Sequence, residues 1–73
     1  MTAFASRLQV LREEMEMTQR EMAEALGISK RTYENYETGA NEPCLPNAVQ
    51  IADMTVVSID WLAGRTNQRR TNK

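Results

Sequence analysis

Residues 18–39, TQREMAEALGISKRTYENYETG, decide how this chain folds. Thr18 and Glu21 make the pattern of a capping box, in which the threonine oxygen accepts from an unpaired amide of the first turn while the glutamate reaches back to the N–H of the cap. A helix therefore begins at Gln19. Met17 and Met22 stand where a hydrophobic staple closes over such a cap, and Gly27 offers the left-handed conformation by which the chain leaves after Leu26. The pattern then restarts: Ser29 is a second N-cap, Ile28 and Tyr33 are its staple, and Gly39 ends the second helix. Gly27, Ile28 and Ser29 leave a connection of only three residues, short enough to fix the angle between the helices as in a helix-turn-helix.

The flanking sequence continues the helical reading. Phe4, Leu8, Leu11 and Met15 lie on one stripe at helical spacing and predict a first helix over residues 3–16, whose other faces carry Arg7, Arg12, Glu13, Glu14 and Glu16. Pro43 and Pro46 limit where a fourth helix can begin, and Val49, Ile51 and Ala52 carry it to about Met54. Ser58 caps a last short helix, with Val57 and Leu62 at staple positions and Gly64 closing it. All three glycines thus fall just past a predicted helix end. The β-prone run at 56–59 is short and is interrupted by the Ser58 cap, so no strand is expected. The fold class is all-α, with a domain over residues 1–64 and a tail, 65–73, that is basic, lacks apolar residues and is expected to be disordered.

Seventy-three residues with 41% hydrophobic content suit one small domain near the lower limit for independent stability. Cys44 is the single cysteine and histidine is absent, which excludes an internal disulfide and a thiolate metal cluster and removes the usual metal and acid–base chemistry. No enzymatic role, cofactor or small-molecule ligand is expected. The N-terminal MTAFASRLQVLREE breaks into charges before it could build a signal peptide or a membrane span, so the reading is a soluble, cytoplasmic protein with no membrane partner.

Chemistry concentrates on the helix from Lys30 to Thr38. At about 100° per residue, Lys30, Arg31, Glu34, Asn35 and Thr38 fall on one side, and Thr32, Tyr33, Tyr36 and Glu37 on the other. Lysine and arginine can donate to guanine O6 and N7, and asparagine can pair with adenine N6 and N7. The start of the helix is the part that meets base edges in this mode of docking. Tyr33 and Tyr36 read as core residues, Ala23 as the small residue that lets the two helices approach, and Trp61 as a core lid over the first helix. Glu37, on the inner face, needs a partner.

RLQVLREEMEMTQREMAEALGISKRTYENYETGANEP, followed by IADMTVVSIDWLAG, resembles the DNA-binding domain of the lambda repressor and Cro family, the Xre-type helix-turn-helix. The likeness covers about residues 4–64 and rests on the LR of the first helix, the TQ-x-x-x-A-x-x-L-G-I-S core, the N-Y-E-x-G ending, the E-P that follows and V-S-I-D-W-L in the last helix. It implies a compact five-helix domain, with Lys30–Thr38 lying in the major groove of double-stranded DNA and Gln19–Leu26 bracing it across the backbone. Lys30, Arg31, Glu34 and Asn35 are then the base-contacting residues, and Thr18, Gln19, Ser29, Thr38 and Asn41 the phosphate-contacting ones. By the same likeness Arg12 and Glu37 form a structural ion pair, Cys44 holds a cap position, and the region of Val56, Ile59 and Trp61 lies close to where relatives pair. The chain departs from the pattern at Val56, where relatives usually have glycine, and at Asn41 and Glu42, where many have a basic residue.

Charge complicates the expectation. Residues 1–64 carry five basic against ten acidic groups, so the folded part begins with long-range repulsion from DNA. Arg20, Lys30 and Arg31 offset this locally. The sequence points to a sequence-specific transcription regulator, a phage or bacterial repressor that binds a pseudopalindromic operator as a homodimer that is weak in solution. The alternative is an antitoxin-like or coactivator module that holds a protein partner with the same fold.

Overall fold

In the computed structural model, which describes residues 3–69, five helices follow one another: α1 Ala3–Glu14, α2 Gln19–Leu26, α3 Lys30–Thr38, α4 Leu45–Thr55 and α5 Ile59–Leu62. No strand occurs among the described residues. The capping box of α2 closes on both sides, with the Glu21 amide donating to Thr18 Oγ1 at 3.1 Å and the Thr18 amide to Glu21 Oε1 at 2.8 Å. Ser29 and Ser58 cap α3 and α5 by accepting from the amides of Thr32 and Trp61. Cys44 caps α4 without a side-chain bond, and Pro46 occupies its first turn. Met17, Ile28 and Val57 are half-buried against the core beside Met22, Tyr33 and Leu62, as the staple positions predict.

Helices α1, α2 and α4 end by one backbone route. Gly27 adopts φ 71°, its amide donates to Glu24 O and the Ile28 amide to Ala23 O. These paired bonds satisfy the last carbonyls of the helix. Glu16, at φ 55°, repeats both bonds through Glu13 O and Arg12 O, and Val56, at φ 58°, repeats them through Asp53 O and Ala52 O. The first helix therefore stops at Glu14 rather than continuing to residue 16, and Met15, expected on its buried stripe, is 39% exposed. Val49, expected to help bury α4, is exposed as well. Val56 bears the most strain, because a β-branched residue in the left-handed region is an outlier.

The core gathers one face of every helix: Phe4, Leu8 and Leu11 from α1, Met22, Ala23 and Leu26 from α2, Tyr33 and Tyr36 from α3, Ile51 and Ala52 from α4, Trp61 and Leu62 from α5. Phe4 meets the edge of Tyr36 with ring centroids 6.3 Å apart, a favourable aromatic geometry. At Gly64, with φ 84°, a Cβ would stand 2.5 Å from Ala3 Cβ, so glycine lets the end of α5 touch the start of α1.

Residues 65–69 do not form the free tail expected of them. They fold back over α1 and α5, where the Ser58 amide donates to Arg69 O at 2.6 Å, Arg7 donates to Thr66 O at 2.8 Å, and Arg69 pairs with Glu14 at 2.7 Å. The remainder of the expected tail, residues 70–73, lies outside the described residues.

Candidate nucleic-acid interface

Helix α3 turns Tyr33, Tyr36 and Glu37 inward and leaves the predicted base-contacting residues on its outer side. Lys30 and Arg31 are exposed, and Glu34 and Asn35 are half-buried. Lys30 Nζ lies 3.2 Å from Glu34 Oε2, one helical turn away, so these two side chains hold each other in place. Arg31, the Asn35 side-chain amide and Arg20 have no polar partner among the described residues. The outer face of α3 thus presents one arginine and one amide whose donors are all available.

Of the predicted phosphate-contacting residues, Thr18 and Ser29 are caps, Thr38 and Asn41 are exposed at and beyond the end of α3, and Gln19 turns inward. Thr18 and Ser29 use their hydroxyls as caps, and Thr38 Oγ1 donates to Asn35 O at 3.2 Å while receiving the Ala40 amide at 3.3 Å. Asn41 is exposed and anchors the loop by donating its amide to Asn35 O. Gln19 faces inward, with Nε2 3.1 Å from Glu37 Oε1. One of its two amide hydrogens remains for an outside acceptor.

Beneath this face lies the predicted ion pair, extended beyond what the sequence suggested. Arg12 Nε reaches Glu37 Oε2 at 2.7 Å and Nη2 reaches Oε1 at 3.3 Å, a bidentate fork. Tyr33 Oη donates to Oε2 and Gln19 to Oε1, while Arg12 Nη1 also holds Met17 O at 3.0 Å. A single carboxylate therefore joins α1, α2 and α3 and fixes the turn that precedes α2. Burial pushes the Glu37 carboxyl up, but donation from Arg12, Tyr33 and Gln19 outweighs it and holds the group below the ordinary carboxylate value. Glu37 in turn raises Arg12, and burial, followed by the bond to Glu37, pushes the Tyr33 hydroxyl well up. Gln19 and Tyr33 escaped the sequence reading as Glu37 donors, since neither carries a motif for it beyond the i, i+4 spacing of Tyr33.

This arrangement is a helix-turn-helix whose second helix is held rigidly from behind and is open in front. The chain belongs to the helix-turn-helix family of the Xre and lambda-repressor type: the family model described as helix-turn-helix matches residues 8–62. Among curated proteins it is similar to the cryptic phage CTXphi transcriptional repressor RstR of Vibrio cholerae, 44% identical and aligned over 81% of this chain and 53% of that protein. It is also similar to the HTH-type transcriptional regulator AnsR of Bacillus subtilis, 37% identical over 89% of this chain and 56% of that protein. A crystal structure of a transcriptional regulator from Listeria innocua superposes with a TM-score of 0.81 at 30% identity, covering 96% of this chain and 64% of that one. The chain spans about half the length of the curated relatives it matches.

Proposed function

We propose that this chain is a sequence-specific DNA-binding transcription regulator, a repressor that occupies a pseudopalindromic operator as a dimer. The observation that carries the reading is the outer face of α3, where Arg31 and Asn35 stand unpartnered on a helix braced by Glu37. Arg31 and Lys30 donate to guanine, Asn35 pairs with adenine and Glu34 accepts from cytosine. Thr18, Gln19, Ser29, Thr38 and Asn41 hold phosphates and set the register. One such helix reads few base pairs, so two copies on half-sites about one helical turn apart supply the specificity. Such a regulator works in the cytoplasm of a bacterial cell; among the described residues no helix is long and apolar enough to cross a membrane.

In this reading the pairing surface centres on Val56. Trp61 is buried and Ile59 is half-buried against the core, so of the three residues near the pairing region of relatives Val56 is the exposed one. Leu45 and Val49 of α4 and its C-cap Val56 are exposed, at 69%, 41% and 65%. So few aliphatic groups fall short of a standard interface, which needs about 800 Å² per partner, and assembly then depends on DNA.

Selecting bound sequences from a random DNA pool tests the reading. A two-fold symmetric consensus is expected, and Arg31→Ala should relax preference at one or two positions, at about 1 to 3 kcal/mol per lost bidentate contact. Unchanged preference in that variant would place the readout elsewhere. The second reading, a protein-interaction module, is favoured by the five basic against ten acidic groups of residues 1–64. A pool from which no sequence is enriched would select it.

A further inference from the structure

Trp61 lies beneath two guanidinium groups. Arg7 Cζ is 4.7 Å and Arg69 Cζ is 5.0 Å from its ring centroid, both within the range of cation–π attraction. Arg7 comes from α1 and is fixed by donating to Trp61 O, Thr66 O and Asn67 Oδ1. Arg69 arrives from the far end of the folded-back segment and forks onto Glu14, with Nη2 at 2.7 Å from Oε1 and Nη1 at 3.2 Å from Oε2. Between them Ser58 acts as a backbone clip: its amide donates to Arg69 O and its hydroxyl to Gln68 O. The face thus offers an extended segment a carboxylate for its arginine, an indole for the same arginine to lie on, and paired donors for its carbonyls.

The bond from Arg7 to Thr66 O is partly buried, whereas the outer end of the closure, at Gln68 and Arg69, is made of side-chain interactions that solvent can reach. The Arg69 and Glu14 side chains are 42% and 50% exposed, and residues 65, 67, 68 and 69 are exposed as well. No aliphatic side chain of the segment enters the core, because Arg65, Thr66, Asn67, Gln68 and Arg69 contain none. An exposed pair is screened by salt, and a sulfate or phosphate can replace Glu14 by offering the same bidentate geometry to a guanidinium.

We propose that Glu14, Ser58 and Trp61 form a docking groove for an arginine-bearing extended segment, filled by the chain's own residues 65–69 and vacated when a polyanion competes for Arg69. The groove works as an ionic latch: closed, it neutralises Arg69 and covers Trp61; open, it releases a basic arm and uncovers the indole together. The latch is independent of what the α3 face binds.

The test uses the full chain and two probes, hydrogen exchange at the Ser58 amide and emission from Trp61, the one tryptophan of the sequence. In low salt the Ser58 amide should be protected; Arg69→Ala should speed its exchange about fivefold to tenfold, and Glu14→Gln should act in the same direction. The exchanged pair, Glu14→Arg with Arg69→Glu, should restore protection, which distinguishes loss of the latch from loss of the fold. Adding a heparin oligosaccharide, or raising salt until the screening length falls to about 3 Å, should open the wild-type latch while Leu8 in the core stays protected. Equal Ser58 exchange in wild type, Glu14→Gln and Arg69→Ala would overturn the proposal. So would acceleration of Ser58 and Leu8 by the same factor, since the segment would then open only with the whole domain. Heparin carries no base sequence, so these results stand or fall apart from the operator reading.

Discussion

Helix α1 is tied to its neighbours by two arginine–carboxylate pairs that look alike at close range, Arg12 with Glu37 and Arg69 with Glu14, each closing at 2.7 Å. Their surroundings differ. The first has side-chain exposures of 16% and 5% and gathers Tyr33 and Gln19 onto one carboxylate; the second has exposures of 42% and 50%. Distance alone therefore says little about what an ion pair does. The buried pair leaves each member dependent on the other, because a lone charge there lacks water. The exposed pair leaves both members a solvated alternative, and suits a contact that opens. One region braces α3 from behind, while the other holds residues 65–69 through groups open to water.

The largest expected effect is at the buried pair. Arg12→Ala should destabilise the domain by on the order of 3 kcal/mol, mostly through the uncompensated Glu37 carboxylate, as read from the denaturation midpoint at neutral pH. A midpoint close to wild type would mean that water reaches Glu37 and that the two pairs are equivalent after all. The pH dependence follows from the direction of the Glu37 shift. Its folded-state value lies below the ordinary 4.5, so its contribution is full above 4.5 and is lost as pH falls from there through the lowered folded value. Glu37→Gln should flatten part of that acid limb. An acid limb identical in both proteins would assign the loss to other carboxylates.

Next in size is the tyrosine that completes the network. Tyr33 is fully buried and its hydroxyl donates to Glu37 Oε2. Tyr33→Phe keeps the packing and removes one charge-assisted donor, which should cost about 2 kcal/mol in the same measurement. A loss of a few tenths would show that Arg12 and Gln19 suffice.

Val56→Gly calibrates both regions, because the change reaches neither pair. It relieves a β-branched residue held at φ 58°, and the expected gain is about 1 kcal/mol, reduced by the greater freedom of glycine in the unfolded chain. In that background Arg12→Ala should show the same loss as in wild type. Non-additivity would mean that the end of α4 and the Glu37 network are coupled.

Elements with a side-chain signature could be read in the sequence. Thr18, Ser29 and Ser58 announced the starts of α2, α3 and α5 because a hydroxyl cap is a chemical device with fixed spacing, and the staples beside them fixed which face turned inward. The stops were legible where glycine marked them, and the end of α4, expected at about Met54, falls one residue later at Thr55. Glu16 makes the same terminal turn as Gly27 without its freedom, so nothing in the sequence marks the end of α1 at Glu14. At the site, the division of α3 into inner and outer faces followed from its period, and the Arg12–Glu37 pair from family likeness. The inward turn of Gln19 and the return of residues 65–69 left no trace in periodicity, since they depend on polar groups meeting others far along the chain.

The smallest expected effect belongs to the exposed pair and separates the two regions most cleanly. Arg69→Ala removes the fork onto Glu14 and one of the two guanidiniums over Trp61, yet the groups left behind are open to water. The denaturation midpoint should therefore move only slightly at low ionic strength. It should coincide with wild type at high ionic strength, where surface charges are screened within a few ångströms. Arg12→Ala should keep most of its loss under the same salt, since the Arg12 and Glu37 side chains are only 16% and 5% exposed and a buried pair is screened less. Trp61 emission supplies the complementary signal: it should change on Arg69→Ala at low salt even where the midpoint barely moves, because the indole loses part of its cover while the helices beneath it stay folded. If salt erases the effect of both substitutions, the Glu37 network is as solvated as the Glu14 pair. If salt erases neither, residues 65–69 are held by contacts other than charge.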